Sequence, residues 1–191
     1  FGGNISSGGS LANLIAISAA RTAHRLRGKD LEHTVIYVGH HAHHSVNKAL
    51  RIAGLGECIV RRIAMDGRHR VDPADLAARI NADREAGLLP FLLVANAGST
   101  DVGAVDPLPA LADVARDHGL WFHVDAAYGG YFLLTDHGKK ILAGIERADS
   151  VVMDPHKSLF LPYGTGIVLV REKQYLMEAN RYDAHYMQDA E

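Results

Sequence analysis

The chain has almost no cysteine: Cys58 is the single one in 191 residues. One thiol cannot build an internal disulfide framework, and its scarcity fits a reducing compartment. Charge of one sign is also lacking. The formal net charge is −2 with histidine neutral, so there is no broad cationic surface for nucleic acid. No apolar run approaches the ~20 residues that span a bilayer. The opening Phe1-Gly2-Gly3-Asn4 is not the charged-then-apolar start of a secretory signal. Internal repeats and low-complexity linkers are absent too. These absences predict a globular, cytoplasmic chain with no nucleic-acid or membrane partner.

What is present suits one sizeable domain. Hydrophobic residues make up 48% and charged residues 22%, the balance of an ordinary globular protein. The chain starts without Met, inside a glycine-rich stretch, and ends at Met187-Gln188-Asp189-Ala190-Glu191 with no closing signal. It is therefore expected to be a piece of a longer protein.

Leu11, Leu14 and Ile15, continued by the small Ser18 and Ala19 and filled in with alanines, predict a helix over 11–27. A short β-branched run predicts a buried strand at 34–38, followed by a helix over 44–53 that Gly54 and Gly56 stop. A strand is expected at 58–63. Asp72 as N-cap and Pro73 at the first helical position open a helix to about residue 86. Further strands are expected at 91–95, 120–124, 150–153 and 166–170, with a helix at 107–118 ended by Gly119. Helices alternate with strands that are mostly apolar on both faces. That pattern predicts a mostly parallel sheet flanked by helices, an α/β layered fold.

Ligands of such sheets bind beyond the carboxyl ends of the strands. One predicted strand leads into Asp125-Ala126-Ala127-Tyr128-Gly129-Gly130, where small residues after an acid leave room for a flat ligand. Another leads into Asp154-Pro155-His156-Lys157-Ser158, and a third into Asn96-Ala97-Gly98-Ser99-Thr100. Before the first helix lies Ser6-Ser7-Gly8-Gly9-Ser10, where bare amides and the helix dipole can hold an anion. Taken singly, each has a plain structural role: a flexible turn, a capping Asp125, a surface Lys157, a turn hydroxyl on Thr100. Together they form an anion cradle, an acid and a lysine on one sheet edge. Pyridoxal 5′-phosphate (PLP) asks for that set: a helix start for its phosphate, an amine for its aldehyde, and a carboxylate for its ring nitrogen.

The stretches Ser7-Gly8-Gly9-Ser10-Leu11-Ala12-Asn13-Leu14, Ala42-His43-His44-Ser45-Val46, Ala97-Gly98-Ser99-Thr100, His123-Val124-Asp125-Ala126-Ala127-Tyr128-Gly129-Gly130 and Asp154-Pro155-His156-Lys157 resemble, in order, the group II PLP-dependent amino-acid decarboxylases. The resemblance covers essentially the whole chain. It implies the PLP-dependent transferase fold (fold type I, aspartate aminotransferase-like), with residues 1–191 as the central part of the large domain. An N-terminal arm, a C-terminal small domain and a mobile loop bearing a tyrosine would lie outside the chain, and Tyr186 would belong to the segment before that loop. By the same resemblance Lys157 forms the Schiff base with PLP and Asp125 pairs with the ring nitrogen. His43 stacks on one ring face and Ala127 packs against the other. Gly9 and Ser10 hold the phosphate, with Thr100 and His156 adding contacts. An amino-acid substrate and a homodimer are implied as well. The chain departs from many members in having Asp154 where they carry Asn, and Ser158 where they carry an aromatic residue.

His40 and His44 would share a face if both lay on a helix, a spacing that can serve zinc. Zinc wants three or four ligands and no acidic or cysteine partner stands nearby in the sequence, so no metal is expected. Cys58 is expected to be a buried core thiol. Two other readings stay open at this level. One is a different reaction on the same fold, such as transamination or aldolase-like cleavage; the other is an isolated fragment without activity.

Overall fold

In the computed structural model, residues 1–181 are described; Tyr186 lies outside them. The elements run β1 (Gly2–Ser6), α1 (Gly9–Ala23), β2 (Thr34–Gly39), α2 (His44–Ile52), β3 (Ile59–Ile63), α3 (Pro73–Glu85), β4 (Leu89–Asn96), α4 (Leu108–Asp117), β5 (Trp121–Asp125), α5 (Asp136–Ile141), β6 (Ser150–Met153), α6 (Pro155–Ser158), β7 (Gly166–Val170) and α7 (Lys173–Asn180). The strands form one seven-stranded sheet in the order β1-β7-β6-β5-β4-β2-β3. The run from β3 to β6 is parallel, whereas β7 is antiparallel to both β6 and β1. This is the mostly parallel, helix-flanked sheet that the alternating pattern predicts.

Two apolar layers sandwich the sheet. One packs Ala12, Ala16, Ile17 and Ala20 of α1 and Val46, Ala49 and Leu50 of α2 against Ile36, Val38, Leu92 and Val94. The other packs Leu76 and Ile80 of α3 and Leu108, Leu111 and Ala115 of α4 against Val35, Tyr37, Leu93, Phe122 and Val124. The two-residue period of a strand divides the layers: in β2, alternate residues serve opposite faces.

Local signals explain most boundaries. Asp72 accepts a hydrogen bond from the Ala74 amide at 2.8 Å and Pro73 begins α3. Gly54 and Gly119 stand at φ +71° and +64°, conformations that cost other residues strain, and so end α2 and α4. Three readings are corrected. The glycine-rich opening is not all loop, because Gly2–Ser6 pairs along β7. Helix α1 starts at Gly9 rather than Leu11 and stops at Ala23, just before Arg25 turns left-handed at φ 51°. Asp125 is the last residue of β5, not the first after it. Cys58 is buried ahead of β3, and burial pushes its thiol up to about 11, which fits a core role.

The loops at the carboxyl ends of β4, β5 and β6 are stitched together. The Gly129 amide donates to the Ala97 carbonyl at 3.1 Å, and the Asp154 amide donates to the Ala127 carbonyl at 3.1 Å. A Cβ on Gly129 would run into the Ala97 carbonyl and its carbon. Gly129→Ala is expected to destabilise the fold by about 1–3 kcal/mol, as overpacking does. The denaturation midpoint measures this.

Candidate active site

The stitched loops and the start of α1 enclose a cleft of about 260 Å³. All eight residues singled out from the sequence line it: Gly9, Ser10, His43, Thr100, Asp125, Ala127, His156 and Lys157. Asp125 and Lys157 are 157 − 125 = 32 residues apart, yet reach one cavity because β5 and β6 are neighbours and their connections leave at the same end.

Asp125 is buried, and its carboxylate is held on both oxygens. Oδ1 accepts from the Ala127 amide at 3.1 Å, and Oδ2 accepts from the Asn13 side-chain amide at 3.0 Å. The same Asn13 amide donates to Ser45 Oγ at 3.2 Å. Ser45 Oγ lies 2.7 Å from His43 Nδ1, which also accepts from the Ser45 backbone amide at 3.3 Å as the cap of α2. With Nδ1 accepting, the neutral His43 ring carries its proton on Nε2. Burial, with His44 second, lowers the pKa of His43.

Asn13 Oδ1 faces His123 Nε2 at 2.8 Å, and His123 Nδ1 faces Ser150 Oγ at 2.8 Å. The indole of Trp121 donates to that same Ser150 oxygen at 2.8 Å. An amide oxygen only accepts and an indole only donates, which sets the direction of the chain. His123 Nε2–H donates to Asn13, and Ser150 O–H donates to His123. Complete burial holds the His123 pKa well below the ordinary imidazole value, so the ring is neutral. Strand periodicity builds this row, since Trp121, His123 and Asp125 all project toward α1.

Lys157 Nζ lies 3.1 Å from Asp154 Oδ2. Burial raises the Asp154 pKa, with Lys157 as the largest opposing influence. His156 donates from Nδ1 to the Thr165 carbonyl at 2.6 Å. No side chain caps α1, so its first amides are available to an anion beside Gly8, Gly9 and Ser10. His40 sits in the turn before α2, so it shares no helical face with His44. His41 lies instead between Asp101 at 3.3 Å and His69 at 3.4 Å. Among the described residues no group of three or more His, Cys, Asp or Glu could hold a metal ion.

The sequence reading assigned no role to Asn13, Ser45, His123 or Ser150. Two of them had a signal. Asn13 stands on the same side of a helix as Ile17 and Ala20, where an apolar residue is expected, and His123 interrupts a buried strand. A polar group at a core position marks a satisfied network.

An open, largely parallel sheet with an acid, an amine and an uncapped helix start at one end defines an α/β enzyme domain built around an anionic cofactor. Comparison with known proteins makes the class specific. The description "Pyridoxal-dependent decarboxylase conserved domain" matches residues 1–191. Aromatic-L-amino-acid decarboxylase of Bacillus atrophaeus is 43% identical over 97% of this chain, and cysteine sulfinic acid decarboxylase of Mus musculus is 40% identical over 90%. The crystal structure of Oryza sativa TDC with PLP and tryptamine superposes with a TM-score of 0.92 at 34% identity, covering 99% of this chain and 40% of that one. The chain thus belongs to the pyridoxal-dependent decarboxylase family, whose cofactor is pyridoxal phosphate. It spans 38% and 36% of the length of the two curated relatives.

Two consequences can be measured. Asn13→Ala strands a buried His123 donor and an Asp125 acceptor, and is expected to cost about 1–3 kcal/mol for each group left unpaired; chemical denaturation reads it. His123 is neutral when folded and protonates more readily when unfolded. Its contribution is therefore full above pH ~6.5 and is lost as pH falls below that value, at up to about 1.4 kcal/mol per unit. In His123→Gln this part of the acid slope should vanish from a pH series of unfolding curves.

Proposed function

We propose that the protein to which this chain belongs decarboxylates an α-amino acid to its amine with pyridoxal phosphate held in the cleft. The observation that carries this reading is the convergence of Lys157, Asp125 and the uncapped start of α1 on one cavity. Family membership supports it.

When bound, pyridoxal phosphate supplies a ring that accepts the electron pair left as carbon dioxide departs from the substrate Cα. Lys157, the one lysine lining the cleft among the described residues, would hold the cofactor through Nζ. Asp125 would hold a proton on the ring nitrogen; the Asn13 and Ala127 donors keep its carboxylate aimed and stabilise negative charge there. His43, cap of α2 and tied through Ser45 to Asn13, presents a flat ring to one side, and the small Ala127 leaves room on the other. Gly9 and Ser10 would bind the phosphate with backbone amides at the start of α1, with Thr100 and His156 beside it.

The active protein is proposed to be a homodimer. Tyr128, Phe132 and Ile141, which line one hollow and are each 46% exposed or more, support this as an apolar surface that meets the cleft at Tyr128. A cytoplasmic location is proposed on the single cysteine.

The test uses the full-length protein with added pyridoxal phosphate and a panel of amino acids, monitoring carbon dioxide, amine and keto acid together. Stoichiometric carbon dioxide and amine is the expected result; keto acid without carbon dioxide would move the protein to transamination. Lys157→Ala should lose the visible absorbance band of protein-attached cofactor. Asp125→Asn should keep the cofactor while turnover falls about a hundredfold or more. Unchanged turnover would give Asp125 a different role.

A further inference from the structure

We propose that Asp154 is the proton-holding residue of the phosphate cradle. It pairs with Lys157 while that amine is free, and becomes a neutral carboxylic acid, donating to the phosphate, once the cofactor is in place. The inference rests on the decarboxylase reading above.

Asp154 follows β6 directly, with its side chain 3% exposed. Oδ2 takes the Lys157 ammonium at 3.1 Å, while Oδ1 is buried with no hydrogen-bond partner. The carboxyl group lies against the first residue of α1: a Cβ on Gly9 would come 2.7 Å from Oδ2 and 3.0 Å from Oδ1. An unpartnered buried oxygen thus faces the backbone where the phosphate is expected. Two anions side by side, one of them buried, repel strongly.

Among the described residues around Asp154, Lys157 is the chief positive influence and His156 the lesser one. On its own segment, Lys157 is claimed by the cofactor's aldehyde. His156 commits Nδ1–H to the Thr165 carbonyl, and its Nε2 stands 3.8 Å from Oδ2, beyond hydrogen-bond reach. From the end of β5, Asp125 adds a further negative charge, and Tyr131 approaches from the loop after β5. From α1 the cleft is lined by the uncharged Gly9, Ser10 and Asn13, and the first backbone amides there are the ones proposed for the phosphate. Protonating Asp154 removes one of the two facing charges and turns the unpartnered oxygen's carboxyl into a donor. Burial already biases Asp154 toward the protonated form, and Lys157 is the chief influence against it.

Cofactor loading should therefore bind one proton at Asp154 and weaken as pH rises. Apo full-length protein and its Asp154→Asn variant are titrated with pyridoxal 5′-phosphate across a pH series, following visible absorbance for Kd. Calorimetry in two buffers of different ionisation enthalpy counts protons. Joining the Lys157 ammonium to the aldehyde breaks the C=O bond, forms a C=N bond whose nitrogen keeps the one remaining proton, and releases one water, so no net proton is bound or released in that step. The pH series is kept below the range in which a lysine loses its proton, so that step and the phosphate's own titration are common to both proteins and cancel in the comparison. The wild-type Kd is expected to climb about tenfold per pH unit more steeply than that of Asp154→Asn, with one more proton taken up. Equal slopes and equal proton counts would overturn the proposal. Infrared difference spectra of wild type alone guard against a variant that does not fold: loading should produce a carboxylic-acid C=O band, and its absence overturns the proposal as well. Failure to develop the cofactor's visible band would remove the decarboxylase reading and this inference with it. A normal band with equal slopes would remove only this one.

Discussion

The Asn13 amide uses both of its donors and its acceptor inside the protein, and the site is arranged around that fact. One hydrogen holds Asp125, the other holds Ser45, and the oxygen holds His123. Three elements, α1, α2 and β5, are thereby set in register around the buried Asp125 carboxylate. Apolar packing alone could place these elements face to face, but it is not directional. Hydrogen bonds to buried groups are directional, and leaving any of them unmade is costly. The row Trp121–Ser150–His123–Asn13 continues the network under the cleft, so the neutral histidine works as a rigid spacer rather than as an acid or base.

Electrostatics gives the cleft its second constraint. Asp125 and Asp154 end neighbouring parallel strands, and both are largely withdrawn from water. Their treatment differs. Asp125 is satisfied by neutral donors and needs no counter-ion from the protein, so it can serve a cationic ring. Asp154 leans on Lys157, the residue proposed above to take the cofactor. Pairing a buried acid with a lysine makes the protonation of one depend on the state of the other.

The layered fold could be read in the sequence because parallel strands buried on both faces leave continuous apolar runs, and helices with clear stop signals separate them. Strands β6 and β7 match their expected limits. Strand β1 was missed because glycines carry no side-chain pattern; its pairing with β7 is a long-range backbone event. The start of α1 was misplaced for a related reason, since Gly9 and Ser10 have weak helix propensity. The eight candidate residues that line the cleft could be picked out because each stands near a strand end or helix start within a motif. Asn13, Ser45, His123 and Ser150 act through partners up to 112 residues away, and no local pattern encodes such partners.

The sequence by itself determined the class of fold and which acid, lysine and helix start to look for at the sheet's edge, because those depend on local periodicity and on short motifs. Tertiary structure alone decided which way each hydrogen bond runs, that His123 is neutral, that His40 and His44 share no face, and that Asp154 rather than solvent receives the free lysine. These are outcomes of burial and of contacts across the sheet. Both arise only when elements distant in the chain exclude water from the same small volume.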